Sequence, residues 1–233
     1  MCGRYRLKTA PDVIEARFQL PSGAIARQLP LFRPRYNIAP SQAVLGVVAD
    51  AAGRHAVALD WGFIPHWVKD ASPTQRFINA RAETVATKPA FRDALRARRC
   101  LIPADGFYEW RRDPTGRKTP YHICLKGERP FAFAGLWSTW RRPDGEPVRT
   151  CAIITTAANE LMDEIHDRMP VIMRPEAEAQ WLDWRVDDPA RLALLLAPYP
   201  ADEMAAWPVA PLVNNPRNDT PACAAPVAPA PRA

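Results

Sequence analysis

No apolar run in the 233-residue chain approaches the roughly 20 residues that a membrane-spanning helix needs. The opening Met1-Cys2-Gly3-Arg4-Tyr5-Arg6 also lacks the apolar core of a signal peptide, so a cytoplasmic protein with no membrane partner is expected. Cysteine is sparse. Cys2, Cys100, Cys124, Cys151 and Cys223 are odd in number, widely spaced and without a C-x-x-C pair. That pattern argues against a disulfide framework, offers no spacing for zinc, and implies no metal and no cofactor. Cys100, Cys124 and Cys151 sit in apolar strand-like runs, where a free thiol behaves as a small hydrophobe. No internal repeat is present, nor the regular strand–helix alternation of a parallel α/β protein.

What is present is an ordinary globular composition, 48% hydrophobic and 24% charged, at a length that suits one well-buried domain. The net charge of +6 permits nucleic-acid binding without establishing it. Arginine greatly outnumbers lysine, and alanine and proline are abundant, a bias that a GC-rich genome also produces.

The periodicity predicts a short amphipathic helix over Asp12–Leu20, then a proline-punctuated loop to Pro40. Strands are expected at Ala43–Val48 and Ala56–Phe63, a helix at Phe91–Arg99, and extended structure over Cys100–Trp110. Tyr121, Ile123 and Leu125 alternate with His122, Cys124 and Lys126 as in a half-buried strand. Phe131–Trp137 and Thr150–Thr156 are further strands, parted by the turn Arg142-Pro143-Asp144-Gly145. Asn159–Ile165, Glu176–Trp184 and Ala190–Leu196 read as short helices. The expected fold class is α+β, a mainly antiparallel, barrel-like β-sheet core with peripheral helices. The boundaries are one domain over residues 1–220 and a disordered Pro/Ala-rich tail over 221–233.

Four features could carry chemistry. Cys2 is small enough for Met1 to be removed, which leaves a 1,2-aminothiol. Its amine titrates near ~8 and its thiol near ~8.5. With an aldehyde, such a residue forms a Schiff base and then a five-membered thiazolidine. It equally suits an N-terminal nucleophile in amide hydrolysis, or is a cysteine that happens to follow Met1. In Asn79-Ala80-Arg81, an extended segment points both polar side chains to one face, the amide suited to an amine and the guanidinium to phosphate. A polar loop with a solvated arginine is the plain alternative. Glu109, between Tyr108 and Trp110, is either a desolvated acid–base group or an outward-facing strand residue. His166, followed by Asp167 and Arg168, is either a proton shuttle beside an anion-holding arginine or a surface histidine. His55, His66 and His122 are read as structural.

Taken in order, Met1–Tyr5, Tyr36-Asn37-Ile38-Ala39-Pro40, Trp61-Gly62-Phe63-Ile64-Pro65, Asn79–Thr84, Gly106–Trp110, Ile165–Pro170 and Val213–Asn218 resemble the SOS response-associated peptidase (SRAP) family from residue 2 to about 220. Each motif is weak alone, and their joint register is specific. The resemblance implies an abasic-site processing protein of DNA damage repair that crosslinks to abasic single-stranded DNA, including at junctions with duplex. It also implies lyase and cysteine-type autopeptidase activity, a monomer, and a nucleoid-associated location. It assigns Cys2 as nucleophile, Asn79 as holder of its amine, Glu109 as acid–base group and His166 as proton carrier. It places Arg4, Asn37, Pro40, Trp67, Arg81 and Arg168 at the DNA. Where the family carries a second aromatic after Trp67, this chain has Val68.

The competing reading is an N-terminal-nucleophile cysteine amidohydrolase or peptidase. That site needs backbone donors for an oxyanion, often from glycine-containing loops, and only 10 glycines occur in the chain. A DNA-binding module without chemistry leaves Cys2, Asn79, Glu109 and His166 unexplained as a set.

Overall fold

A computed structural model describes residues 2–69 and 76–227. Along the chain its strands are β1 (Tyr5–Leu7), β2 (Arg35–Ile38), β3 (Ala43–Asp50), β4 (Gly53–Trp61), β5 (Asn79–Arg81), β6 (Arg99–Ala104) and β7 (Gly106–Arg112). They continue as β8 (Lys118–Leu125), β9 (Phe131–Arg141), β10 (Pro147–Ala157), β11 (Arg168–Pro170), β12 (Ile172–Met173) and β13 (Met204–Pro208). Short helices α1 (Pro11–Arg17), α2 (Ala24–Gln28), α3 (Arg92–Ala97), α4 (Glu160–Asp163), α5 (Glu178–Leu182) and α6 (Pro189–Ala193) lie between them.

Strands β10, β4, β3, β6 and β9 close on one another into a five-stranded barrel, antiparallel except where β10 runs parallel to β4. Its apolar faces supply Val47, Leu59, Leu101, Ile102, Phe133 and Ile153, all buried. Gly135 on β9 is required for this closure, because a Cβ there would stand 2.8 Å from Cys100 Sγ and 2.9 Å from Ile102 Cδ1. The second sheet is antiparallel, ordered β13-β8-β7-β1-β2. Barrel, sheet and peripheral helices make an α+β fold.

One buried carboxylate joins the two sheets. The sequence reads Cys100–Trp110 as one extended run, whereas the structure breaks it at Asp105, with β6 in the barrel and β7 in the second sheet. Asp105 is fully buried. Its carboxylate accepts from the backbone N–H of Lys8 at 2.5 Å and Thr9 at 2.9 Å and from the Thr9 hydroxyl at 2.6 Å. This corner lets β7 pair with β1 through Tyr5↔Phe107 and Arg6↔Gly106. Glu109 is thereby delivered beside the N-terminal segment.

Other boundaries shift for local reasons. Helix α3 ends at Ala97, and Arg99 already belongs to β6, where its guanidinium donates to the carbonyls of Leu95, Arg96, Trp181 and Asp183. The stretch from His122 to Leu125 is buried on both faces rather than half-buried. Strand β13 and the C-terminal segment cover its outer side, with Trp207 tilted on His122 at 4.8 Å. The same cover corrects the expected tail. Pro221–Ala224 is a 3₁₀ turn with Cys223 fully buried, Ala224 O accepts from Trp207 Nε1, and Pro226 bridges to Val209. Small residues that promised no core of their own fill the gap beside Tyr108 and Val213. Residues 228–233 fall outside the described residues.

His122 is buried between Tyr108 and Trp207, with neither ring nitrogen hydrogen-bonded among the described residues. Burial first, and the Arg6 charge second, lower its pKa from 6.5 to about 3. The folded ring stays neutral where an unfolded one gains a proton, so its contribution to stability is complete above pH 6.5. That contribution is lost as pH falls from 6.5 towards 3, by on the order of 1 kcal/mol per pH unit. Equilibrium unfolding of His122→Phe across this range is expected to lose that slope. A wild-type slope retained in the variant would refute the assignment.

Candidate active site

Cys2 is fully buried, just before β1. Its thiol is pushed well above the ordinary cysteine range, chiefly by burial and next by the negative charge of Glu109. The sequence expectation of a partly ionised thiol is therefore corrected: in this setting the sulfur keeps its proton at neutral pH. Glu109 itself is 3% exposed, which decides against an outward-facing strand glutamate. It stands opposite Tyr121 in the β7–β8 ladder. Backbone pairing fixes this couple, since Tyr108 N–H donates to Arg4 O at 3.0 Å, and Cys2 Sγ lies 4.0 Å from the same oxygen.

Strand β10 gathers the other candidates. On one edge it pairs with β5 as Ile153↔Asn79 and Thr155↔Arg81, and on the other with β11 as Ala157↔Arg168. Asn79 donates Nδ2 to Ile153 O at 3.4 Å, while its Oδ1 is buried with no hydrogen-bond partner among the described residues. That oxygen is an acceptor suited to an amine N–H. The buried phenol of Tyr5 is pushed up by desolvation and, less strongly, by Cys151 of β10 and by Cys2.

His166 follows α4, whose N-cap Asn159 accepts from Met162 N–H at 2.9 Å. The His166 N–H closes the turn onto Met162 O at 2.7 Å. At its side chain, Arg168 N–H meets Nδ1 at 3.0 Å and the exposed Asp167 carboxylate meets it at 2.8 Å. The first contact needs Nδ1 as an acceptor and the second needs it as a donor, so the two are alternatives at one ring nitrogen.

Two residues that sequence reasoning missed join the two sides of β10. Glu83 grips Arg168 with both oxygens, at 2.5 and 3.0 Å, and Thr155 offers its carbonyl at 2.8 Å and its hydroxyl at 3.3 Å to the same guanidinium. The Arg168 hydrogen bond is also what chiefly depresses the Glu83 pKa. Glu83 stands in the same motif as Asn79 and Arg81, but nothing in that motif announces a partner 85 residues away. Arg81 is exposed beside them.

The remaining candidates divide. Trp67 is 56% exposed and available to a ligand. Val68, which stands where the resemblance gives a second aromatic, is buried with Ile64 and Trp140, and its carbonyl accepts from Trp140 Nε1 at 2.7 Å. It supports the loop from beneath and does not extend the exposed aromatic surface. Pro40 is half-buried at the end of the β2 segment. Arg4 is partly buried against the Val213–Asn214 backbone. Asn37 is 0% exposed, with its amide bonded to protein oxygens, so its side chain does not face a ligand. Among the described residues no His, Cys, Asp or Glu cluster suits a metal ion, and no helix is long and apolar enough to cross a membrane.

The model for the family described as SOS response associated peptidase (SRAP) matches residues 1–216. The chain is similar to abasic site processing protein YoqW of Bacillus subtilis (strain 168), 47% identical over 225 residues that cover 95% of this chain and 97% of the relative. It is 32% identical over 264 residues to abasic site processing protein HMCES of Xenopus tropicalis, across 97% of this chain and 78% of that one. A crystal structure of a protein from Bacteroides thetaiotaomicron superposes with a TM-score of 0.88 at 28% identity, covering 97% of this chain and all of the other.

Proposed function

The chain belongs to the SOS response associated peptidase family, and we propose that it processes abasic sites by crosslinking itself to them through Cys2. The observation that carries this reading is a buried Cys2 under the charge of the buried Glu109 carboxylate, in a fold whose strand β10 brings Asn79 and Arg81 on one edge to the Arg168 segment, which includes His166, on the other. The relatives' names supply the lesion.

In the proposed reaction one water first hydrolyses the Met1–Cys2 peptide bond with help from Glu109, releasing methionine and freeing the Cys2 amine, which is the chain's autopeptidase activity. His166 donates a proton to the sugar ring oxygen as the bond from C1′ to that oxygen breaks, while the C1′ hydroxyl gives its proton to solvent and becomes the aldehyde. The Cys2 amine, held by Asn79 Oδ1, attacks this carbon, and loss of one water leaves an imine. The thiol then adds to the imine carbon, the S–H proton passes to nitrogen, and a thiazolidine closes. The covalent cap shields the lesion. Reversal follows the same steps backward, with Glu109 and His166 returning the protons. Nothing in these steps requires general proteolysis.

The test is incubation with an abasic single-stranded oligonucleotide, then denaturing electrophoresis and intact mass. A slower band is expected, at the combined mass of DNA and Met1-less protein less one water. Absence of any such adduct would refute the reading.

The DNA is held by phosphate contacts from Arg81 and Arg168 and by a base against Trp67, while the Arg4 guanidinium is taken up by the Val213–Asn214 carbonyls. In a Cys2→Ala background, which keeps the equilibrium non-covalent, removing Arg81 or Arg168 should flatten the log–log salt dependence by about 0.7 for each phosphate no longer neutralised. Trp67→Ala should weaken binding by about 1–3 kcal/mol and leave the slope nearly unchanged. Equal affinity and slope for intact duplex and single strand would contradict the single-strand assignment.

A further inference from the structure

A segment far along the chain, Val213–Asp219, closes over the N-terminal strand with contacts that no step of the proposed chemistry uses. Asn37 is its hub. The Asn37 amide Nδ2 donates to the carbonyls of Val213 at 3.1 Å, Asn215 at 3.0 Å and Asn218 at 2.8 Å, while Oδ1 accepts from Arg4 Nη1 at 3.0 Å. Arg4 also donates to Val213 O at 2.6 Å and Asn214 O at 3.0 Å. Asp219 secures the other side. Its Oδ1 accepts from the backbone N–H of Tyr36 at 2.6 Å and of Asn37 at 2.9 Å, and its Oδ2 accepts from Arg35 Nε at 2.7 Å. Trp110, next to Glu109, donates Nε1 to Asn214 Oδ1 at 2.7 Å.

The arrangement is costlier than holding a strand requires. Burial lowers the Arg4 pKa, and the oxygens its guanidinium meets are amide and carbonyl oxygens, so its charge is desolvated without a carboxylate among these contacts. An apolar side chain at either position would fix β1 with less desolvation. What the polar version adds is direction. Arg4 stands two residues after Cys2, its carbonyl is bonded to Tyr108 N–H, and the segment that grips it also grips Trp110. One clasp therefore contacts the neighbours of both Cys2 and Glu109.

We propose that Asn37, with the Val213–Asp219 clasp, is a positioning residue that sets the Cys2 backbone against Glu109. The inference rests on the crosslinking reading of the site. Asn37→Ala removes the hub. Hydrogen exchange over residues 2–8 of the free protein should accelerate. Single-turnover crosslinking at saturating abasic DNA should slow by roughly 100-fold, the loss that a misplacement near 1 Å brings. Single-strand affinity, measured with Cys2→Ala, should change little. Arg4→Ala should slow crosslinking too, and the double variant should be no slower than the worse single one, because both act through one contact. If Asn37→Ala does not fold, Asp219→Asn loosens the same clasp more gently and is expected to shift exchange and rate in the same directions.

Unchanged exchange with an unchanged rate would overturn the proposal. So would fully multiplicative slowing in the double variant, or an affinity loss that accounts for all of the slowing. If wild-type protein forms no adduct while exchange over residues 2–8 still rises in Asn37→Ala, the crosslinking reading fails and the clasp's hold on the N-terminal segment is supported.

Discussion

A protein carrying before Cys2 an added residue that stays attached, as intact mass verifies, is expected to leave abasic DNA uncrosslinked. Both atoms that enter the ring belong to the same residue, and an added residue converts the amine into an amide that cannot form an imine. Cys2→Ser separates the two roles. Its amine still condenses with the aldehyde, so borohydride should trap an adduct, but no stable ring should survive without the reductant. The pH dependence carries the same logic. Burial and the Glu109 charge hold the thiol protonated well past neutrality, so raising the pH should speed crosslinking as the amine deprotonates near ~8. No second rise is expected where an ordinary thiol ionises, near ~8.5. Crosslinking by an N-terminally extended protein at the normal rate would eliminate this mechanism, and a rate that tracks thiol ionisation near ~8.5 would contradict the buried-thiol geometry.

Much of the fold was legible because hydrophobic pattern is local. Ala43–Val48 and Thr150–Thr156 read as strands and fall within β3 and β10. What failed was decided by distant partners. The run through Asp105 looks continuous until the backbone amides of Lys8 and Thr9 bend it. The alternation around His122 predicts one wet face, and Trp207, from a strand much later in the chain, covers that face. The residues after Pro221 are too small to form a core, yet they complete one supplied by Tyr108 and Val213. The candidate site follows the same division. Cys2 became a candidate from its position, and Glu109, Asn79 and His166 from motif order. The grip of Glu83 on Arg168, and the burial that removes Asn37 from the ligand-facing surface, arise from pairings across the chain that no local pattern encodes.

Glu109→Gln should slow crosslinking by roughly 10²–10⁴-fold, the range that general acid–base catalysis supplies. The substitution keeps the shape of a side chain that is 3% exposed on β7, so the ladder with Tyr121 and the pairing of β7 with β1 should survive. What disappears is the charge that acts on the Cys2 thiol and, in the proposed reaction, the group that exchanges protons with the condensing amine. The variant thiol should ionise at lower pH than in the wild type while remaining raised by burial, a shift that thiol titration can read directly. His166→Ala separates the two proton carriers. If His166 serves ring opening, its loss should matter for the cyclic abasic sugar and vanish with an open-chain aldehyde that has no ring to open. The Glu109→Gln defect should persist on both substrates, because imine formation and ring closure remain. DNA affinity should be nearly unchanged by the histidine substitution. A Glu109→Gln protein that folds and crosslinks both aldehydes at the wild-type rate would show that the buried carboxylate is structural and that another group moves the proton.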